Sequence, residues 1–284
     1  MLAGWLLVLP ALVSAQQDSI PQILALPPSV RNAGLGGAAA AMIGYAGSVF
    51  ANPAGIAPVR ILSLEGALAR YDSVSTFFSG AAAMRAGRVN LGGGIRYLNY
   101  DDGQPLRDNF EGQAAFSLRI KGIAWGLGAG YVSMEDTTGE VSRTLTAGGA
   151  VTVYFFDIAA LAVSARNLGD WNVSGHSLEV PDEVRLGFSL NLVDTYSNWR
   201  LLATVEQIWF GGNGETAAGL EGGAVIKGVG IVLRAGATGR HPGSPYSPGT
   251  LGGSLVLGRA AIDYAYLARH EHAPLHLFGI RWTP

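Results

Sequence analysis

The chain has 284 residues and a formal net charge of −2, and only 14% of its residues are charged. A near-neutral chain offers no basic surface for nucleic acid, and so little charge is unusual for a soluble domain. The absence of cysteine excludes thiol catalysis and metal sites built on cysteine.

Residues 1–15, "MLAGWLLVLPALVSA", predict a cleaved export signal. An apolar run from Trp5 to Val13 is followed by small residues, and cleavage after Ala15 fits the usual pattern. No lysine or arginine precedes the run, and a short membrane anchor is the alternative. The run is short for spanning a bilayer, and no later segment offers 18 consecutive apolar residues. An exported, glycine-rich chain of this kind predicts β structure.

Residues 16–60 precede the periodic part of the chain and are rich in small residues. Gly34, Gly36 and Gly37 resemble part of a dinucleotide-binding fingerprint, but no convincing strand precedes them and no βαβ unit follows. Glycine permits tight bends and alanine permits close packing. We therefore expect a compact segment that fits within a narrow space, and no nucleotide.

The stretch "SVFANPAGIAPVR" contains an Asn-Pro-Ala box, Asn52 to Ala54. An asparagine side chain can bond nearby backbone and start a turn, while Pro53 fixes φ and lacks an amide hydrogen. The box predicts a turn that directs the chain toward its first strand, with Asn52 and Pro53 as the hinge. An ordinary loop is the alternative.

From residue 61 onward hydrophobicity alternates with a period of two, as in "IAWGLGAGYV", where Ile123, Trp125 and Leu127 oppose Gly126 and Gly128. This alternation is typical of β-strands, and each segment is near the length of a tilted membrane strand. About fourteen strands are predicted, at 61–71, 74–85, 88–100, 109–120, 123–134, 142–154, 158–167, 182–193, 199–209, 217–226, 229–237, 249–257, 260–269 and 274–283.

The connections between these strands alternate between short and long. Tight turns such as 121–122 and 227–228 alternate with the longer, polar segments 101–108, 135–141, 167–181, 210–216 and 238–248. That asymmetry is typical of an outer-membrane β-barrel whose longer loops lie outside the cell. Residues 61–284 are therefore predicted to form an all-β, antiparallel transmembrane barrel in bacterial outer-membrane lipid. A soluble sandwich or propeller is the alternative, but it usually carries more charge on its wet face.

Several charged side chains share the face that a barrel would turn toward its lumen. Charges inside a membrane are expected to face water or partners. One interpretation is a site for an acidic head group or a cargo carboxylate, since arginine suits bidentate contacts. The interpretation that we favour is a ladder of Arg–Asp/Glu pairs that fills the barrel. The predicted lumen-facing residues are Arg96, Arg119, Arg166, Arg185, Glu206, Arg234 and Asp263.

The sequence gives little support for catalysis, a metal or a cofactor. It contains no Gly-x-Ser-x-Gly elbow and no His-Glu-x-x-His motif, so we expect a protein that is not an enzyme. His270, Glu271, His272 and His276 cluster near the last outer turn and could in principle bind a metal. A solvated turn is the favoured interpretation, and no metal site is predicted.

Several stretches together resemble the PorV/PorQ family, which is related to the long-chain fatty-acid transporters of the FadL type. They are "NAGLGGAAAAMIGYAGSVFANPAGIA" (32–57), "SARNLGD" (164–170), "VPDEVRLGFSL" (180–190), "LRAGA" (233–237) and "AAIDYAYLA" (260–268). The resemblance implies a fourteen-stranded barrel with an N-terminal hatch inside it. The hatch would span residues 16–60, and its gating residues would be Gly34, Gly36, Gly37, Asn52, Pro53 and Ala54.

The same resemblance implies a non-enzymatic role in type IX secretion, in which the barrel binds secreted proteins or the secretion machinery. The FadL relationship implies an alternative, a passive channel for hydrophobic molecules such as long-chain fatty acids. The C-terminus departs from the usual pattern, because Trp282 is followed by Thr283 and Pro284 rather than ending the chain.

Overall fold

The structure is a computed structural model, and it describes residues 22–72, 75–99, 109–135, 139–156, 158–175, 178, 180–194, 199–239, 246–269 and 273–284. The predicted export signal lies outside the described residues. The division of the chain at residues 1–15, 16–60 and 61–284 stays a prediction.

Fourteen antiparallel strands among the described residues form one closed barrel, in which neighbours in sequence pair and the last strand pairs with the first. The first seven are β1 (Leu62–Arg70), β2 (Thr76–Ala86), β3 (Val89–Asn99), β4 (Asn109–Ile120), β5 (Ile123–Glu135), β6 (Val141–Phe155) and β7 (Ala159–Ser174). The others are β8 (Glu183–Asp194), β9 (Trp199–Phe210), β10 (Asn213–Ile226), β11 (Val229–Gly239), β12 (Tyr246–Leu257), β13 (Ala260–Arg269) and β14 (Leu275–Trp282). The predicted fourteen-stranded barrel is confirmed.

Alternation along the strands separates an apolar exterior from the lumen. On β5, Trp125 and Leu127 are 54% and 66% exposed, whereas Ala124, on the lumen face of the same strand, is fully buried. Large apolar side chains face outward all around the barrel. An apolar belt of this size is not stable in contact with water, so it must be covered by lipid. The protein is accordingly an outer-membrane β-barrel. No helix in the part of the chain that the structure describes is long and apolar enough to cross a bilayer.

The two rims of the barrel differ in their connections. The connections after β2, β4, β6, β8, β10 and β12 form the short-turn rim, and those after the odd-numbered strands form the long-loop rim. Lys227 and Gly228 on the short-turn rim have φ angles of 51° and 82°. Positive φ at both central residues is the geometry of a two-residue hairpin turn whose twist matches that of its strands.

Two of the predicted outer loops are wrong in length. Gly211 and Gly212 alone connect β9 to β10, in place of the loop predicted at 210–216, and their φ angles are 54° and 81°. A glycine pair adopts this conformation at no steric cost, so the strands continue through the polar residues around it. The loop predicted at 167–181 is likewise shortened, because β7 continues as strand to Ser174.

The residues before β1 are short helical turns and irregular backbone that lie within the barrel. Helix α1 spans Gln22–Ala25, helix α2 spans Val30–Gly34, and two 3-10 helices span Ala46–Phe50 and Pro53–Ile56. We refer to residues 22–60 as the N-terminal segment. It contacts lumen-facing residues of strands around the whole circumference, from β1 through β14.

Candidate functional site

Glycines on the lumen face of the barrel make room for the N-terminal segment. A Cβ added to Gly236 on β11 would overlap the backbone of Leu35 and Gly36, and one added to Gly126 on β5 would overlap the backbone at Ala54. Each glycine therefore marks a place where two backbones approach too closely for any side chain. The high glycine content of the sequence is thus in part a consequence of filling the lumen with protein.

The predicted glycines of the segment lie where the chain turns against β11 and β12. Gly36 and Gly37 have φ angles of 69° and 90°, a conformation that favours glycine. The Gly36 amide donates to Thr250 Oγ1 at 3.0 Å, and its carbonyl accepts from the Thr238 hydroxyl. Gly34 ends α2 beside Gly252, where an added Cβ would lie 3.3 Å from the Gly252 Cα.

Asn52 and Pro53 lie deep inside the barrel, and Asn52 has no exposed surface. The Asn52 side chain accepts from the Ala54 amide at 2.9 Å and caps the second 3-10 helix, with Pro53 as its first residue. Its Nδ2 donates to the Ala40 carbonyl at 2.6 Å and to Thr152 Oγ1 on β6 at 2.9 Å. The box therefore connects two parts of the segment to the wall, and its role as a hinge stays a prediction.

Six of the seven predicted lumen charges belong to two groups of ion pairs. In the first group, Arg96 on β3 pairs with Glu111, and Arg166 Nε lies 2.7 Å from Glu183 Oε1. Arg185 then contacts Glu183 and also Glu206, with 2.7 Å between Arg185 Nη1 and Glu206 Oε1. This group has three arginines and three glutamates, all with little exposed surface, so its formal charges balance.

The second group joins the N-terminal segment to the wall. Arg31 of α2 makes two hydrogen bonds with Glu221 on β10, at 2.7 and 2.8 Å. Arg234 on β11 contacts the same Glu221 at 2.7 Å and Asp263 on β13 at 3.4 Å. Arg281 on β14 lies 3.5 Å from Asp263. Buried charges are stable only when paired in this way.

Arg119 is the predicted lumen charge that the structure places apart from these groups. It is exposed at the short-turn rim, its Nε donates to the Lys121 carbonyl at 3.1 Å, and its guanidinium lies 4.3 Å from the centre of the Tyr154 ring. Its neighbours differ accordingly from those of the other six.

The acidic partners Glu111, Glu183 and Glu221 were missed by the sequence analysis, although the strand register contains the signal for them. Arg96 lies directly opposite Glu111, and Arg166 lies opposite Glu183. Directly opposed residues on one face of an antiparallel pair are the natural contacts of a sheet. The tight turn at 227–228 would have brought Glu221 opposite Arg234, whereas Arg96 and Arg166 meet their carboxylates across longer connections that do not fix the register.

The same polar wall residues also hold the backbone of the N-terminal segment. Glu206 accepts from the amides of Ala39 and Ala40, both at 2.6 Å. Arg96 donates to the Leu26 carbonyl at 2.7 Å. Ser164 on β7 donates to the Ala51 carbonyl, also at 2.7 Å. Irregular backbone at membrane depth requires partners of this kind, because no bulk water is available there.

The histidine cluster predicted as a solvated turn lies mostly outside the described residues, which include only its member His276. The His276 Nδ1 atom is 2.8 Å from the Tyr264 hydroxyl on the outward face of the neighbouring strand. Within the described ranges, no group of three histidine or acidic residues is placed to hold a metal.

The two ends of the lumen differ in character. Toward the long-loop rim, apolar residues of the segment pack against apolar residues of the wall; we call these the outer apolar cluster. Toward the short-turn rim, a partly open cavity of about 170 Å³ lies between the segment and the wall, and we call it the vestibule. The outer apolar cluster comprises Ile23, Leu24, Leu26, Val30, Phe77, Leu98, Val132, Leu178, Val180, Leu267, Leu275 and Leu277, with the small residues between them.

No known protein family and no curated protein matches this sequence. Solved structures do match the fold. The toluene transporter TbuX of Ralstonia pickettii gives a TM-score of 0.62 at 10% identity, over 91% of this chain and 98% of its own. The toluene transporter TodX of Pseudomonas putida gives 0.59 at 10% identity, over 90% and 96%. A Pseudomonas aeruginosa FadL homologue gives 0.55 at 11% identity, over 91% and 99%. At such low identity the likeness establishes the fold alone, that of a fourteen-stranded outer-membrane barrel.

Proposed function

We propose that this protein is a passive, non-catalytic channel for hydrophobic molecules, with the N-terminal segment as the gate or hatch. The observation that carries the proposal is the outer apolar cluster. The interior of an outer-membrane barrel is usually polar, and a polar lumen repels hydrocarbon. Here a buried cluster with apolar members from both the segment and the wall lies toward the long-loop rim. A hydrophobic molecule can partition into such a region from the outer face.

The similar solved structures support the same class of solute. Two of them are described as toluene transporters, and a third as a homologue of FadL. Apolar residues inside the barrel suit the passage of hydrophobic molecules better than they suit a water-filled pore. We therefore propose small or long-chain hydrophobic molecules as the solutes.

A disulfide that ties the segment to the wall tests the proposal. The Val30 Cβ lies 3.6 Å from the position of a Cβ added to Gly279 on β14, within the range of about 3.5–4.5 Å that a disulfide requires. The chain has no native cysteine, so Val30→Cys with Gly279→Cys introduces the only pair. We expect oxidation to abolish uptake of labelled toluene and oleate into cells that express the protein, and reduction to restore it.

The single variants and the reduced double variant serve as controls for the substitutions themselves. A second pair, Pro53→Cys with Gly128→Cys, ties the other end of the segment, where the two Cβ positions are 3.9 Å apart. Uptake that continues unchanged when both ties are closed would show that solutes do not pass through this lumen, and the proposal would fail.

A role in type IX secretion rests on the sequence resemblance to the PorV/PorQ family. Two of the similar solved structures are described as toluene transporters and a third as a FadL homologue, and none of these three as a secretion component. The long-loop segments 100–108 and 240–245, which would form much of a cargo-binding rim, lie outside the described residues. Copurification from mild detergent tests this role, and recovery of secretion machinery would favour it over the channel.

A further inference from the structure

Basic residues lie along one side of the short-turn rim. One of them precedes β1, and the others lie in or beside the turns after β2, β4, β10 and β12. These elements are neighbours in the closed barrel, so the residues follow one continuous stretch of the rim, from β10 through β14 and β1 to β5. We call the following set the basic arc: Arg60, Arg85, Arg88, Lys121, Lys227 and Arg259.

Acidic residues are absent from the sequence around the basic arc. No aspartate or glutamate occurs within three positions of any of its six members. The acidic residues of the sequence nearest to the short turns are Asp157, in the connection after β6, and Asp194, at the end of β8. Both connections belong to the opposite side of the barrel. The positive charge is therefore confined to one side of the rim.

The six side chains of the basic arc are exposed, in contrast to the paired arginines of the lumen. Arg85 Nε donates to the Gly87 carbonyl at 3.0 Å, which leaves its charge uncompensated. Within the described residues, no member of the arc forms an ion pair with a carboxylate. A surface of unbalanced positive charge attracts an anionic partner.

The position of the arc relative to the lipid-facing belt indicates which kind of anion can reach it. Exposed Ile120 and Ile226 face lipid immediately before Lys121 and Lys227, and exposed Leu257 lies two residues before Arg259. A strand rises about 3.3 Å per residue, and the headgroup layer on each side of a bilayer is roughly 5–8 Å thick. These charges therefore lie within the headgroup layer, where long basic side chains keep their stems on apolar surface.

Two exposed tryptophans mark the same depth. Trp125 is the third residue of β5, and Trp282 is the last residue of β14, directly opposite Ala260, which follows Arg259. Tryptophan is enriched where the hydrocarbon meets the headgroups. An acidic protein would have to penetrate the headgroup layer to contact charges at this level, whereas the phosphates of lipids are already there.

We propose that the basic arc binds phospholipids with anionic headgroups, in the leaflet at the short-turn rim. The headgroup phosphate accepts hydrogen bonds from the lysines and arginines, and the acyl chains cover the adjacent apolar strand ends. A zwitterionic headgroup carries its own cation, which the arc repels, so the surface selects lipids with net negative charge. Binding at the rim does not require the lumen to conduct, so the inference stands apart from the proposed channel.

Tryptophan quenching by brominated lipids tests this selectivity in the purified full chain. The vesicles consist of dioleoylphosphatidylcholine with an equal minor fraction of either brominated phosphatidylglycerol or brominated phosphatidylcholine. The short-turn reporter keeps Trp125 and Trp282, and phenylalanine replaces Trp5, Trp171, Trp199 and Trp209. At low salt we expect brominated phosphatidylglycerol to associate about fivefold more strongly than brominated phosphatidylcholine, the factor that one basic residue near an anionic surface contributes.

A second reporter and a change of salt locate and characterise the interaction. The long-loop reporter keeps only Trp209, which lies beside the end of β9 at the other rim. It should show no preference between the two lipids. At 1 M salt, where the screening length is about 3 Å, the preference at the short-turn reporter should disappear. An equal preference at both reporters would overturn the assignment to the arc.

Variants of the turn residues separate charge from folding. The neutral variant combines Lys121→Asn, Lys227→Asn and Arg259→Gln in the short-turn reporter. Lys121 and Lys227 have φ angles of 54° and 51°, which asparagine tolerates well, so the turns and the β-sheet circular dichroism should be retained. The matched control keeps the charge by combining Lys121→Arg, Lys227→Arg and Arg259→Lys.

We expect the neutral variant to lose most of the preference for phosphatidylglycerol and the matched control to keep it. If both variants show the same preference, the charges of the arc do not select the lipid, and the proposal fails. Equal quenching of the short-turn reporter by the two brominated lipids would also overturn it, and would favour an acidic protein as the partner of the arc.

Discussion

Replacing Gly236 with alanine adds a single methyl group at the contact between wall and segment. Gly236 faces the lumen on β11, and its new Cβ would overlap the backbone of Leu35 and Gly36. Overpacking of a well-filled core typically costs about 1–3 kcal/mol. The upper end applies here, because backbone atoms cannot move aside as a flexible side chain can.

The cost falls on the packed segment and leaves the strand pairing intact, so it favours displacement of the segment. At about 1.4 kcal/mol for each factor of ten, 3 kcal/mol corresponds to a displaced population roughly 100-fold larger. We expect Gly236→Ala to raise the frequency of channel openings in planar bilayers, or the rate of leakage from liposomes, by a factor of this order. The barrel itself should keep its β-sheet circular dichroism.

Gly222→Ala on the adjacent strand is the matched control. Gly222 faces outward on β10, and the nearest atom to its added Cβ is Leu201 Cδ1 at 3.9 Å, an ordinary contact. This variant should show the leakage of the unmodified protein. Equal leakage from Gly236→Ala and Gly222→Ala would show that the segment does not seal the lumen at β11, and the argument from close backbone approach would be refuted.

Three further variants probe neighbouring contacts. Gly94→Ala places its Cβ against the Phe50 ring, so its increased leakage should be reversed by adding Phe50→Leu, as the same liposome assay would show. Glu183→Gln leaves Arg166 and Arg185 without their shared carboxylate. Urea unfolding should show that the free energy of unfolding falls by about 3–5 kcal/mol. Asp182→Asn, at an exposed neighbouring residue, should leave the free energy of unfolding almost unchanged. Asn52→Leu leaves the Ala40 carbonyl and the Thr152 hydroxyl without this hydrogen-bond partner, and each unpaired group costs about 1–3 kcal/mol of stability. The variant should raise leakage while the barrel stays folded. Unchanged leakage would count against an anchoring role for Asn52.

The barrel could be predicted because its determinants are local. Alternation assigns each residue to one face of its strand. The pattern in which Trp125 and Leu127 alternate with Gly126 and Gly128 can therefore be recognised without knowing which strands are adjacent. Loop lengths were less predictable, because polar composition does not distinguish a loop from a strand that extends beyond the membrane. The Gly211–Gly212 turn and the extended end of β7 are two such cases.

The lumen was less predictable because its contacts are not local. Alternation placed arginines such as Arg96 and Arg234 on the inner face, but their carboxylate partners are defined by strand register. The role of Gly126 or Gly236 is visible only when the N-terminal segment lies in the lumen, since the approaching backbone is more than 70 residues away in sequence.

The charges of the lumen indicate how the segment can be both held and displaced. Between residues 22 and 60 the segment contains only two charged residues, Arg31 and Arg60, and only Arg31 belongs to the ion pairs. If the segment moves, Glu221 keeps Arg234 and Glu206 keeps Arg185, so these two wall carboxylates remain paired. The interactions lost are chiefly hydrogen bonds to neutral backbone, which water entering the opened lumen can replace at modest net cost. A segment anchored by several buried arginines would be fixed in place. A segment with a single residue in these ion pairs is held chiefly by contacts that can be replaced, which is the property that the proposed gate requires.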